Sequence, residues 1–263
     1  MEENWQLKIF QKSLKKRQRV SKIIPIIPDL GEKKCLELGC ARGIIGYHLR
    51  QCGGKWVSVD TDLINLSAAQ RLLRKGVMLA NPFSLPFPDQ AFDLIAVLDI
   101  LEHLEDDENC INEIHRLLKP GGRLVVSAPT SGRLYLVNRI KNLIGLTPDV
   151  YGHVREGYDP DVLALRLKEK GYYIRRVETF TKFFTEFVEM LINFGYIYIL
   201  RRKKAGPKRD GAISPSSEEE LKQNIKVFKV YSLLFPFTWL FAQLDYILFF
   251  LKGYTILIQA EKK

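Results

Sequence analysis

Short apolar runs alternate with helix-length amphipathic stretches over the first two thirds of the chain, the pattern of repeated βαβ units. Strands are expected near residues 33–38, 55–60, 77–80, 93–98 and 122–128, with helices between them, such as 109–118. Two further runs, 171–177 and 253–260, each open on a glycine and supply a sixth and a seventh strand. Between these two lies an aromatic-rich insertion. Its halves, 180–200 and 230–251, flank a polar Gly/Pro/Ser/Glu stretch, 205–220, which reads as a flexible loop.

Length and composition change this picture little. The 263 residues, 46% of them hydrophobic, suffice for one large core or a core carrying an insertion. The organisation expected is a basic helical segment at 1–30, a ligand-binding core at 31–180, a hydrophobic helical cap at 181–252 and a final strand at 253–263. The first 18 residues are polar and basic with no apolar h-region, so no secretory signal is expected and a cytoplasmic location follows. Cys35, Cys40, Cys52 and Cys110 lack C-x-x-C or histidine-partnered spacing, which favours reduced thiols over disulfides or zinc.

Charge narrows the partners. A formal +10 calls for an anionic one, whether nucleic acid, membrane phosphate or an acidic metabolite. The cations crowd into two places: Lys8 to Lys22 at the amino terminus, and Arg201 to Arg209, directly after an apolar run.

The chemistry is concentrated at Cys35 to Gly43, C-L-E-L-G-C-A-R-G, and at Asp60, which ends the next strand. A strand running into a small-residue turn brings backbone N–H groups against a ligand, and an acid about 20 residues on can hydrogen-bond a ribose. Only one of the three glycines of G-x-G-x-x-G is in place, so a nicotinamide dinucleotide is disfavoured. An acid followed by G-x-G-x-G is met by Glu37, Gly39, Ala41 and Gly43, with alanine at the middle glycine. In this the chain resembles the class I S-adenosylmethionine (SAM) methyltransferases, in particular the broad group of quinone-biosynthesis and small-molecule enzymes. Companion motifs follow in the family's order: Asn81 to Pro88 with Phe92-Asp93, then Leu101-Glu102-His103-Leu104, then Leu118-Lys119-Pro120-Gly121-Gly122.

The resemblance implies a Rossmann-like α/β fold, a seven-stranded sheet with strand seven antiparallel and helices on both faces, and SAM as cofactor. By resemblance Glu37 holds the methionine ammonium, Gly39, Ala41 and Gly43 form the turn, and Asp60 takes the ribose hydroxyls. Asn81 stands where the family commonly has an aspartate facing adenine, and Pro82 has no N–H to give that ring. Asp99 is expected near the sulfonium end. His153 follows the post-strand-five loop that normally lines the acceptor pocket, where a general base and a structural histidine both remain open readings. His48 and His115 read as structural, and Glu113 and Arg116 as an i,i+3 pair. Strand five ends Ser127-Ala128-Pro129-Thr130, without the Asp-Asn pair of an oxygen-rich magnesium site, so no metal is expected. Asn81-Pro82-Phe83 lacks the second proline of the N-P-P-aromatic box of amino-methylating nucleic-acid enzymes and follows strand three, not four.

In such a sheet the insertion hangs over the carboxyl edge, where ligands bind. Neither apolar half is expected to span a membrane, because Glu189 or Asp245 interrupts each and Pro236 bends the second. A buried substrate lid and a pair of interfacial helices at the inner face of a membrane are both open. The acceptor expected is hydrophobic or membrane-held, such as a quinone precursor, a lipid or a polyprenyl-linked intermediate, with O-methylation favoured over C-methylation. An RNA methyltransferase and a SAM-binding protein without turnover are the alternatives.

Overall fold

β1 (Lys34–Leu38) and β4 (Phe92–Leu98) are apolar almost throughout and buried on both faces, which places them side by side in the middle of a parallel sheet. The computed structural model describes residues 4–131, 135–200, 215 and 217–263. With β2 (Lys55–Asp60), β3 (Val77–Leu79), β5 (Leu118–Pro129), β6 (Tyr172–Phe180) and β7 (Thr255–Lys262), the order is β3-β2-β1-β4-β5-β7-β6. β7 runs antiparallel to both its neighbours. Strand order reverses between β1 and β4, and a crevice at the carboxyl ends of such a pair is where doubly wound folds bind ligands.

Local chemistry sets most helix starts. Asp62 caps α4 (Leu63–Leu73) by accepting from Asn65 N–H, and Asp106 caps α5 (Asp107–Leu117) through Asn109 N–H. Asp159 caps α7 (Pro160–Glu169), whose first residue is the proline that a first turn tolerates. α3 (Ile44–Arg50) starts from the left-handed Gly43, and α6 (Leu136–Leu143) lies after β5. Glu113 and Arg116 do pair, Nη2 to Oε1 at 2.7 Å, and Arg116 also holds the carbonyls of Leu85 and Phe87. His48 stacks near Phe10 and His115 near Tyr172. The four cysteines are free thiols.

β6 runs on to Phe180, three residues past its expected end. Glu178 and Thr179 look like a strand stop, but at a sheet edge one face is solvated, so polar residues extend the ladder.

α1 (Trp5–Gln11) and α2 (Leu14–Ile23) pack against the insertion, which consists of α8 (Phe183–Phe194) continued by a π-helical stretch to Leu200, α9 (Glu218–Gln223) and α10 (Ile225–Ala242). Leu14 shares a small core with Val188, Phe235 and Ala242. Most of the expected loop, 205–214 and 216, and the basic run 201–204 lie outside the described residues. The end of that stretch is helical instead: Ser217 accepts from Glu220 N–H at 3.2 Å, which starts α9. Asp245, read as a break in an apolar run, caps α8 from across the cap. Its carboxylate takes the N–H groups of Lys182, Phe184 and Thr185 at 2.7–3.2 Å.

Candidate functional site

A cavity of about 1010 Å³ opens over the carboxyl ends of β1, β2 and β4, roofed by the insertion and the amino-terminal helices. Gly39 and Gly43 both sit at φ +82°. At Gly39 a Cβ would lie 2.8 Å from the Leu98 carbonyl oxygen, so the close approach of β1 and β4 requires glycine there. Ala41 adopts φ +44° between them, keeping the left-handed turn at a cost of about 1–2 kcal/mol.

Asp60 explains how that strain is held. It is buried on the cavity wall, with Oδ2 accepting from Ala41 N–H at 2.7 Å and Oδ1 from Asp62 N–H at 3.0 Å. A carboxylate has about four lone-pair sites, so these backbone bonds leave acceptor capacity facing the cavity. Burial raises its pKa, opposed by those backbone bonds. Thr61, Asp62 and Asn65, from the start of α4, stand on the wall beside it.

Three expected contacts are not brought to the cavity. Glu37 is fully buried behind the turn, where Ser58 Oγ donates to Oε2 at 2.5 Å and Arg50 Nη1 lies at 3.9 Å. Burial pushes its carboxyl up to about 7 against the pull of Ser58 and Arg50, and a Cβ at Gly46 would collide with it. Its partners lie on β2 and α3. Asn81 uses Oδ1 to accept from Phe83 N–H at 2.9 Å, closing its own loop, and neither Asn81 nor Pro82 lines the cavity.

Asp99 is on the wall in a left-handed conformation, φ +49°, for a non-glycine residue. It accepts from Ser127 Oγ at 3.0 Å and pairs with Arg19 of α2. Arg19 brings Lys12, Lys15 and Lys16 with it onto the wall, so much of the amino-terminal charge faces inward. Burial, then Arg42, lowers the Lys16 ammonium to about 8. Nothing local in the sequence signals this, because the segment reaches the site through packing on distant elements, α8 and α10 among them.

At the far end Glu102, His103 and His153 line the wall together. The two imidazole rings meet edge to face, centroids 4.7 Å apart, and His103 Nδ1 lies 2.8 Å from the Gly152 carbonyl oxygen. Burial, reinforced by His103, lowers His153 to about 3, so it stays neutral but lacks the near-neutral basicity that suits a general base. Glu102 is raised well above the carboxylate range by burial and by the charge of Asp99. The sequence singled out His153 as a candidate base and read Glu102 and His103 as residues of a family motif, without placing the three together.

A methyltransferase domain model matches residues 36–126. A ubiquinone biosynthesis O-methyltransferase of Pseudomonas paraeruginosa is 32% identical over 158 residues, 56% of this chain and 68% of that protein. Its counterpart in Pseudomonas aeruginosa is 28% identical over the same shares. Among solved structures, a putative methyltransferase from Bacillus halodurans superposes with a TM-score of 0.58 at 15% identity, covering 93% of this chain and 99% of that one. A SAM-dependent methyltransferase from Archaeoglobus fulgidus gives 0.58 at 17% identity, covering 97% and 94%.

Proposed function

Because this chain belongs to the SAM-dependent methyltransferases, we propose that it O-methylates a hydrophobic acceptor taken from a membrane surface onto which its cap docks. When bound, SAM supplies a sulfonium methyl group, which the acceptor oxygen's lone pair takes as the C–S electron pair stays on sulfur. Asp60 and the turn at Gly39 to Gly43 would hold the adenosine half, and Asp99, fixed by Arg19 and Ser127, stands on the same wall. The acceptor meets the wall of Glu102, His103 and His153. The hydroxyl proton leaves to solvent, and positioning supplies much of the rate.

The observation that carries the acceptor class is the two-sidedness of α10. Val227, Phe228 and Tyr231 line the cavity, while Leu233, Phe237 and Leu240 are 63–75% exposed. Beyond the helix, Tyr246, Phe249 and Phe250 are 69–81% exposed. An apolar surface of this extent, bordered by exposed Lys226 and Lys229, suits the headgroup level of an anionic bilayer. The stretch Ile225–Tyr246 is long and apolar enough to cross a membrane, with 11% of its most apolar window buried. Its end is nonetheless tied to α8 by Asp245, and Tyr231 Oη donates to the Lys12 carbonyl, contacts that favour a helix lying on the bilayer. The ubiquinone-pathway relatives support a quinone-type acceptor.

Flotation with phosphatidylglycerol vesicles tests this. Each phenylalanine inserted contributes about 1.5–3 kcal/mol, so Phe249→Glu with Phe250→Glu should lower binding by about 10²-fold or more while S-adenosylhomocysteine affinity stays unchanged. Wild-type protein that remains lipid-free at low salt would return the cap to a simple lid.

A further inference from the structure

Among the described residues, Lys12, Lys15, Lys16, Arg19 and Arg42 bring five cations to the cavity wall. Arg19 pairs with Asp99, and Lys15 with the buried Glu186 at 3.1 Å. Lys12 and Lys16 make no ion pair among the described residues: the Lys12 ammonium lies 5.2 Å above the Phe235 ring, and Lys16 is half-buried beside Arg42. Burial and Arg42 both disfavour the Lys16 charge, and the opposing pull of Glu189 is weaker than either. Lys16 also falls in the first turn of α2, which holds no acid and where the helix dipole is itself positive. An ammonium in that setting is costly until an anion joins it. The other carboxylates of the wall do not supply one. Asp60 and Asp62 are taken up by backbone N–H groups, and burial pushes Glu102 and Glu189 toward the neutral acid. SAM brings no net negative charge either, since its ammonium offsets its carboxylate and its sulfonium is positive. Even with the methionine carboxylate on one of these lysines, the other is left for a second ligand.

We propose that Lys12 and Lys16 bind an anionic group, a phosphate or a carboxylate, carried by the hydrophobic acceptor, which makes the substrate an anionic amphiphile. Its apolar part rests on the reading of a hydrophobic acceptor; the anion site does not. Ser13 stands with the two lysines on the wall, where its Oγ accepts from Lys16 N–H at 3.4 Å and keeps its own proton for the anion. The apolar part has a path beside them. Tyr231 of α10 donates to the Lys12 carbonyl, so Lys12 adjoins the helix whose Val227 and Phe228 line the cavity and whose Leu233, Phe237 and Leu240 are exposed. A charged head on α2 and an apolar tail along α10 thus fall on adjacent elements. At about 1010 Å³ the cavity exceeds the roughly 300–1,000 Å³ of pockets for one ligand, so a second fits beside the cofactor.

The test is calorimetric titration of the full chain, saturated with S-adenosylhomocysteine, using decyl phosphate, decanoate and decanol as probes below their micelle concentrations. At least one anionic probe should bind about tenfold or more tightly than decanol, an advantage that shrinks in high salt. The relative affinities of phosphate and carboxylate say which anion the site takes. Lys16→Met, which keeps the length of the side chain without its charge, should remove most of that advantage, as should Lys12→Met. Both variants should bind decanol as wild type does, with S-adenosylhomocysteine affinity within about twofold as the control for folding. Equal or no binding of the three probes overturns the proposal, and so does an anionic advantage that survives in the Lys12→Met, Lys16→Met double variant. A Lys16→Met chain that loses S-adenosylhomocysteine affinity instead would give that ammonium to the cofactor and overturn it too. Inorganic phosphate bound as tightly as decyl phosphate would overturn the hydrophobic acceptor and leave the anion site standing.

Discussion

Asp60→Asn separates the support of the turn seen in the structure from the ribose contact proposed for the same carboxylate. As aspartate, the side chain receives Ala41 N–H at 2.7 Å and Asp62 N–H at 3.0 Å, one on each oxygen. Asparagine has a single acceptor oxygen, so its amide N–H₂ must face one of these donors and leave it buried and unpaired. Losing a charge-assisted bond in this way costs about 1.5–3 kcal/mol. In a domain of this size that corresponds to a melting temperature lower by about 3–12 °C. The ribose hydroxyls lose their charged acceptor as well, at least tenfold in cofactor affinity. Thermal melts followed by circular dichroism measure the first effect. Calorimetric titration with S-adenosylhomocysteine, well below the melting point, measures the second. A lower melting temperature with unchanged affinity would make Asp60 a support of the turn and nothing more. If neither quantity moves, the hydrogen-bond argument itself is wrong.

The turn gives a pair of opposite predictions: Ala41→Gly should relieve the left-handed backbone and raise stability by about 1 kcal/mol, or about 2–4 °C, whereas Gly39→Ala should lower it by several degrees, because its Cβ meets Leu98 O at 2.8 Å and Ile100 Cβ at 3.0 Å. Equal melting temperatures for the two variants would refute both. Glu186 is buried, which raises its pKa, but Lys141 and Lys15 outweigh burial and hold it at about 2. This folded value lies below the ordinary one, so its contribution is present above about pH 4.5 and is lost as pH falls toward 2. Glu186→Gln, which leaves two lysines unpaired, should cost about 3 kcal/mol at neutral pH and flatten the stability profile in that acid window, as denaturant titrations at successive pH values would show.

The sheet and the glycine turn were legible because each is written locally. An apolar run such as Leu94 to Leu98 needs burial on both faces, and a small-residue turn after β1 has few uses other than close approach to a ligand. Asp159 before Pro160 and Asp106 before α5 are likewise short-range signals. What a side chain meets across the fold is another matter. Glu37 sits at a motif position, but the direction in which it points follows from Ser58 on the neighbouring strand and Gly46 on α3. Asn81 spends its oxygen on its own loop, and Asp245, which read as a flaw in an apolar run, is the cap of a helix about 60 residues earlier in the chain. His103 and His153 share a wall, and Arg19 reaches Asp99, only because rigid elements carry distant segments to the same sheet edge. Hydrophobic periodicity specifies which face of each element is buried. It carries no information about which polar groups the packing of those faces will bring together, and that is decided by tertiary structure alone.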